Sequence, residues 1–162
     1  ISLGLVGSEM CIRDSDEIYS AVKTPFEIRS GSEKVTRRFF KICNNGRESF
    51  TGLYKSLTEQ GICKGHQCIA YGLYMRDNGI ELSEGLAVYG YSICSAIVTN
   101  CVKLVPLSQL AGQKILGESF ELISSASEKA LFTDINDIGI SGAGFDLRAM
   151  QHERLYSRQY MS

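Results

Sequence analysis

Three residues with metal-binding side chains lie close together in the sequence. Cys63, His66 and Cys68 fall within six positions and could supply thiolate and imidazole ligands. A structural zinc site uses four ligands, however, and no second Cys/His pair with a suitable spacing follows in this chain of 2 histidines. The segment therefore predicts ordinary buried cysteines and a histidine at a helix start, with a metal site as the weaker alternative.

Catalysis by a cysteine nucleophile and phosphate binding by a glycine-rich loop have even less support in the sequence. A cysteine nucleophile needs a histidine base and a third group that orients it. His152 could pair with Cys94 or Cys101, but both cysteines lie in an apolar helical run, where thiols stay protonated and unreactive. The glycines from Gly139 to Gly144 lack the Lys-Ser/Thr ending and the preceding strand of a phosphate-binding loop. We therefore predict neither cysteine-based catalysis nor a phosphate-binding loop, and we expect no cofactor.

Two polar clusters point to contacts with other proteins instead. The segment 150–162 carries two arginines, two tyrosines, a histidine and a glutamate, and Arg and Tyr dominate the binding energy of protein interfaces. It predicts either a docking segment or a last helical turn that completes the fold. Gln109 and Gln113 share a helical face near Lys103. They predict a solvated face, an interface cluster or the lining of a wet passage.

The amino-acid composition bears on which kinds of protein the chain could be. Lys and Arg number 17 against 18 for Asp and Glu, a formal charge of −1, so no basic field would hold nucleic acid. We expect no apolar run long enough to span a membrane. Six cysteines in a chain of 162 residues, several of them in apolar surroundings, predict free thiols in a cytoplasmic protein rather than a disulfide framework.

Helices must position these side chains. Apolar residues recur at helical spacing, and no alternating segment of useful strand length is present. The longest run, 83–105, is apolar around most of its circumference, which is typical of a buried helix. The sequence thus predicts an all-α fold: a single-domain helical bundle with a long central buried helix and a flexible C-terminal tail.

Residues that cap or interrupt helices set the other predicted helix boundaries. Helices are predicted at about 33–43, 48–60 and 107–130, and a flexible loop at 134–145. Gly112 and Gly117 lie inside the last helix, where a glycine costs about 1 kcal/mol relative to alanine. Close contact with a neighbouring helix would explain both glycines.

The first fifteen residues are set apart from this reasoning. The stretch 6–15 resembles a translated sequencing adapter, and the chain has no initiator Met. We predict that 1–15 is an artefact and that the true N-terminal helices are missing. The remaining chain is predicted to form a helical domain over 16–145 and a partner-docking tail over 146–162.

Three stretches together resemble the urease accessory protein UreF family. The segment 102–116, with its Lys-Leu-Val-Pro-Leu-Ser-Gln element followed by Ala-Gly-Gln, resembles the signature at the end of that family's long helix. The segment 65–72 is similar to the family's His-containing stretch, and 149–162 to its closing motif. Their order and separation also fit, and the resemblance covers about 25–162.

This resemblance implies a non-catalytic, cytoplasmic protein of urease maturation that forms a homodimer. Such proteins bind the accessory protein UreD, called UreH in some organisms, and recruit the GTPase UreG, which carries nickel to the urease apoenzyme. The residues implied in partner binding are His152, Glu153, Tyr156, Ser157 and Arg158. Lys103, Gln109 and Gln113 would lie near the dimer core or a nickel passage. The alternative is a small helical metal-binding protein or enzyme that uses Cys63, His66 and Cys68.

Overall fold

The computed structural model describes residues 8–43, 46, 49–139 and 142–156. Over these residues the chain is helical without any strand, which confirms the all-α prediction. A 3-10 turn at Ile135–Asp137 precedes the last helix. The α-helices, in chain order, are α1 (Glu9–Val22), α2 (Phe26–Ile42), α3 (Phe50–Glu59), α4 (Gln67–Asp77), α5 (Leu82–Leu104), α6 (Gln109–Glu118), α7 (Phe120–Leu131) and α8 (Ala143–His152).

The helices divide into two compact units, where the sequence predicted one bundle. The first unit comprises the described residues up to Asp77 and from Ile135 onward, and the second is Asn78–Asp134. The division arises because α5, α6 and α7 pack mainly on one another. Each unit therefore has its own set of helix contacts.

The core of the first unit is formed by α1 to α4 and the turn after α3. Its buried apolar residues are Ile12, Phe40, Tyr54, Leu57, Cys63, Ala70 and Leu73. Ile12 belongs to the stretch that the sequence reasoning set aside, and Ser8 caps α1 by accepting a hydrogen bond from the Cys11 N–H. The artefact assignment of 1–15 concerns the origin of the sequence and stays a prediction.

Helix α2 begins earlier than predicted. It starts at Phe26, directly after Pro25, whereas the sequence suggested a start near residue 33. Proline is tolerated at a helix start because the first N–H groups have no partner within the helix. Ser32 lies inside α2, and its Oγ accepts a hydrogen bond from the Gln67 N–H at 2.9 Å. This serine therefore serves α4 instead of capping its own helix.

In the second unit, the predicted helix 107–130 is two helices. The break is at Ser119, where α6 ends. The Ser119 N–H donates hydrogen bonds to the carbonyls of Ile115 and Leu116. A Cβ at Gly112 would lie 2.6 Å from Val102 Cγ2, so this glycine permits the close contact of α5 with α6. A Cβ at Gly117 would meet nothing within 4 Å. The packing explanation is confirmed for Gly112 and wrong for Gly117.

The prediction of a buried central helix is wrong for α5. Within this helix, which is described in full, Gly85 is the sole buried residue. Its exposed large apolar side chains are Leu82, Val88, Tyr91, Ile93, Ile97 and Leu104. Within the second unit α6 and α7 are the helices that contact α5, and they leave much of its surface open.

Helix α5 also contradicts the expectation that no run is long and apolar enough to span a membrane. Its 23 residues reach a mean hydropathy of 1.4 in the most apolar window, a length and composition sufficient to cross a bilayer. A single helix of this kind is weak evidence for a membrane span. The finding therefore describes the apolarity of α5 and assigns it no membrane.

Candidate functional site

The C-terminal helix α8 is joined to the start of α2 by two side chains. His152 Nδ1 lies 2.6 Å from Glu27 Oε2, and the imidazole N–H donates because a carboxylate can only accept. The Phe26 N–H donates to Glu153 Oε1 at 3.0 Å. We call these four residues, Phe26, Glu27, His152 and Glu153, the C-terminal clasp.

The sequence around Pro25 explains why α2 needs this clasp. Pro25 occupies the N-cap position and has no side-chain hydrogen bond to the first turn. The N–H groups of a first turn have no intrahelical acceptor and carry a partial positive charge. The Glu153 carboxylate satisfies one of them from the far end of the chain. This hydrogen bond replaces that of an N-cap side chain, which stabilises a helix by about 1 kcal/mol.

Beyond the clasp, the chain presents apolar side chains to solvent. Leu155 is 52% exposed and Tyr156 fully exposed. Of the predicted partner-binding residues, His152 and Glu153 are thus engaged within the first unit, whereas Tyr156 is open. Ser157 and Arg158 lie outside the described residues. Residues 143–152 form α8. The structure therefore corrects the end of the predicted flexible loop and the first part of the predicted flexible tail.

The first unit contains a buried network of hydrogen bonds around Asp16, which the sequence analysis did not predict. The Asp16 carboxylate accepts hydrogen bonds from Tyr54 Oη at 2.5 Å, from the Lys64 N–H at 2.7 Å and from the Gly65 N–H at 3.1 Å. Tyr54 Oη in turn accepts from the His66 N–H at 2.6 Å. Burial, reinforced by Asp16, raises the pKa of Tyr54 far above its usual value. The signal that could have found the network is Asp16 itself, one turn after Ile12 on the buried face of α1.

His66 is buried and directly precedes the first residue of α4. The sequence predicted its place at a helix start but not its burial. Its Nε2 lies 2.7 Å from Ser20 Oγ, and its ring lies 4.6 Å from the ring of Tyr19. Nδ1 is buried without a hydrogen-bond partner in the part of the chain that the structure describes. Burial lowers the pKa of His66 below its ordinary value, against the opposing charges of Asp16 and Glu33. The arrangement favours a neutral imidazole with a packing role.

The three candidate metal ligands are not assembled into a site. Burial raises the pKa of the Cys63 and Cys68 thiols to about 11 each, which disfavours the thiolate form that binds metals. Among the described residues, no group of three or more His, Cys, Asp or Glu side chains could hold a metal ion. The alternative based on Cys63, His66 and Cys68 therefore has no geometric support here.

The second polar cluster lies in the second unit. Lys103 is in the last turn of α5, while Gln109 and Gln113 are on α6, and all three are exposed. Ser108 caps α6 by accepting a hydrogen bond from the Ala111 N–H at 3.1 Å. The loop that contains Pro106 thus fixes the start of α6. The assignment of these three residues to a dimer core or nickel passage stays a prediction.

An uncharged groove follows the open surface of α5. It has a volume of about 530 Å³ and is lined by Val88, Tyr91, Ser92, Ser95, Ala96, Thr99 and Asn100. At its edge the rings of Tyr91 and Phe120 stack with their centroids 5.8 Å apart. Contiguous exposed apolar surface of this kind is typical of protein interaction sites.

Over the described residues, the fold and these surfaces define an all-helical protein with apolar side chains exposed on α5 and after α8. The chain belongs to the UreF family, because a sequence model of that family matches residues 6–119. The match confirms the family predicted from the three short stretches.

Individual relatives agree with this assignment. The urease accessory protein UreF of Paenarthrobacter aurescens strain TC1 is 30% identical over 151 residues, which are 91% of this chain and 66% of that protein. The protein of the same name from Actinobacillus pleuropneumoniae serotype 3 is 33% identical over 148 residues, 91% of this chain and 65% of the relative. The UreF protein of Streptococcus thermophilus strain LMD-9 is 28% identical over 148 residues, which are 91% of this chain and 62% of that protein. The chain therefore spans slightly less than two thirds of the length of these relatives.

The names of these relatives bear on whether the chain has catalytic activity. Each is named an accessory protein of urease, not urease itself. The family thus supports the prediction of a protein without catalytic activity.

Proposed function

We propose that this chain is a non-catalytic scaffold of urease maturation. It binds the accessory protein UreD, or UreH, and helps to recruit the nickel-delivering GTPase UreG to the complex with apo-urease. The observation that carries this proposal is the UreF family match over residues 6–119, joined by relatives named as urease accessory proteins. The particular partners follow from the resemblance of the C-terminal and Pro106 segments to that family.

The partner-docking segment of this proposal is 146–162. Its support is the exposure of Leu155 and Tyr156 beside a helix that the C-terminal clasp attaches to α2. Tyrosine is a frequent anchor of protein interfaces because it offers a large, rigid surface with a polar end. With Tyr156, the residues His152, Glu153, Ser157 and Arg158 form the contact set that the family resemblance implies.

We further propose that the chain acts as a cytoplasmic homodimer. The open, uncharged groove of α5 supports self-association, since two copies of such a surface could bury each other's apolar side chains without burying a charge. Lys103, Gln109 and Gln113 would then lie near the dimer core or line a passage for nickel. The six free thiols fit a reducing compartment. Nickel is cargo of the complex in this scheme, and the chain itself needs no resident metal.

A binding experiment tests the proposal. The full chain and a form that ends after Gly144 are each incubated with tagged UreD/UreH accessory protein, and the captured fraction is measured. We expect the truncated form to lose binding; capture at full strength would contradict the proposed docking segment. A third form that ends after Tyr156 separates the contribution of α8, Leu155 and Tyr156 from that of 157–162.

A cellular experiment tests the scaffold role itself. Urease activity is measured in nickel-supplied cells that lack their own UreF and express this chain. Restored urease activity supports the proposal. Indifference of urease activation to a chain that is expressed and folded, as judged by circular dichroism of the purified protein, would refute it.

A further inference from the structure

We propose that the outer side of α2 is a second docking surface, which takes an acidic, partly apolar surface of a protein that the scaffold recruits. We call this surface, made of Lys34, Val35, Arg38, Lys41 and Ile42, the basic face. The inference rests on the proposed function and deepens it. That function requires two partners to be held at once, whereas the C-terminal segment accounts for one of them.

Helix α2 carries more positive charge than its own contacts use. It contains five basic and two acidic residues. Glu33 pairs with Arg37 at 3.3 Å, so these two charges offset each other. Glu27 lies 2.6 Å from His152, and Arg29 donates to main-chain carbonyl groups. Within the described part of the chain, the three remaining basic side chains of α2 have neither an ion pair nor a hydrogen bond.

These three cations, Lys34, Arg38 and Lys41, lie in one row along the helix. Successive spacings of four and three residues place side chains on the same side of a helix, and all three residues are exposed. With a rise of about 1.5 Å per residue, the row is about 10 Å long. Carboxylates at the same spacing on two turns of a partner helix would match it. Because the whole chain has a formal charge of −1, the row is a local concentration of positive charge.

Apolar side chains adjoin the row of cations. Val35 and Ile42 are 38% and 80% exposed. Behind them the Phe39 ring packs on α4, with its centroid 4.6 Å from that of Tyr71 and 5.3 Å from that of Tyr74. These aromatic contacts fix α2 against α4. A partner would therefore meet a surface that is already ordered, which reduces the entropy lost on binding.

Charge and apolarity together select a protein as the occupant of the basic face. Proteins that bind DNA commonly neutralise about 6–10 phosphates, more than a row of three cations can reach. On an acidic protein surface, carboxylates opposite the row would steer the encounter and fix its register. Apolar side chains of the same partner would cover Val35 and Ile42. Among the proposed partners, the GTPase UreG is the one for which the C-terminal segment provides no surface.

Charge reversal at matched positions tests the basic face. The full chain, bound to the UreD/UreH accessory protein, is immobilised, and the association and dissociation rates of purified UreG are measured. Lys34→Glu/Arg38→Glu is compared with Lys64→Glu/Lys129→Glu, which changes the net charge equally at exposed sites outside the basic face. We expect the first variant to associate about tenfold more slowly, because interface charges mainly set the association rate, and the control to change little. The difference should shrink near 1 M salt, where the Debye length is about 3 Å.

An apolar substitution tests the same surface without a change of charge. Ile42 and Leu110 are 80% and 81% exposed, so truncation of either side chain should leave the fold intact, as circular dichroism would show. We expect Ile42→Ala to dissociate from UreG about tenfold faster, since the apolar area that the partner covers is reduced. Leu110→Ala, in the second unit, should dissociate at the unaltered rate. Equal rates for the two variants would overturn the apolar part of the basic face.

The outcomes separate this inference from the proposed function. If the unaltered chain binds neither UreD/UreH nor, in their complex, UreG, the proposed function falls and the inference with it. If it binds both, but reversal of Lys34 and Arg38 slows UreG no more than the control does, only the basic face falls. Loss of UreD/UreH binding by the folded, charge-reversed chain would also overturn the inference, because the basic face would then belong to the interface with that accessory protein.

Discussion

The contact between α5 and α6 leads to a prediction with a built-in control. Gly112 and Gly117 lie on the same short helix, and alanine is favoured over glycine inside a helix by about 1 kcal/mol. At Gly117 an added Cβ meets nothing within 4 Å. We therefore expect Gly117→Ala to stabilise the second unit by nearly this full amount.

At Gly112 the same substitution meets a different environment. The new Cβ would lie 2.6 Å from Val102 Cγ2 and 3.3 Å from Val98 Cγ1. The valine methyl groups have little freedom to move, because a β-branched side chain in a helix has one strongly preferred rotamer. Overpacking of this kind costs about 1–3 kcal/mol. It offsets or exceeds the gain in helix propensity, so we expect Gly112→Ala to be destabilising by up to about 2 kcal/mol.

Urea unfolding followed by far-UV circular dichroism measures both variants against the unaltered chain. The separation between the two alanine variants, about 1–3 kcal/mol, is the quantity of interest, since propensity cancels between them. Equal stabilisation by both substitutions would refute the close contact of α5 with α6. A change in the slope of the transition would instead indicate that the two units unfold separately.

Three further predictions concern the first unit. Tyr54→Phe should lower the free energy of unfolding by about 1–3 kcal/mol, because the buried Asp16 carboxylate loses a donor and the His66 N–H an acceptor; an unchanged urea midpoint would contradict this. Because the pKa of His66 is lower in the folded chain than in the unfolded one, stability should be full above about pH 6.5 and fall as the pH drops below it. A His66→Gln variant should show a flatter dependence of the urea midpoint on pH in that range. The Cys63 and Cys68 thiols, with pKa values of about 11, should react slowly with a thiol reagent at pH 7.5 until urea unfolds the chain. Rapid labelling of the folded protein at either position would contradict these raised pKa values.

The helices themselves were largely predictable, and the errors occur where local signals conflict. The apolar spacing that predicted α3 and α5 holds in the structure. The start of α2 was predicted too late because Ser30 and Ser32, which lie inside the helix, are of a residue type that commonly caps helices. The break at Ser119 has no proline and no local change in the apolar pattern to reveal it.

The contacts of the candidate site were harder to predict than its location. The tail was identifiable from its Arg and Tyr content, but the pairing of His152 with Glu27 joins residues that have no common local pattern. Asp16 was missed since its helix begins in a stretch excluded from the reasoning. The exposure of α5 was missed for a different reason. Periodicity measures how apolar a helix is, and says nothing about which neighbours cover it.

The arrangement of the two units has a consequence for synthesis of the chain. The second unit is one continuous segment, Asn78–Asp134, and its helices are complete once the ribosome has passed that point. The first unit is assembled from both sides of this insertion, and Glu153, which caps α2, is synthesised 127 residues after Phe26. The first turn of α2 therefore lacks this acceptor until the whole second unit has been synthesised.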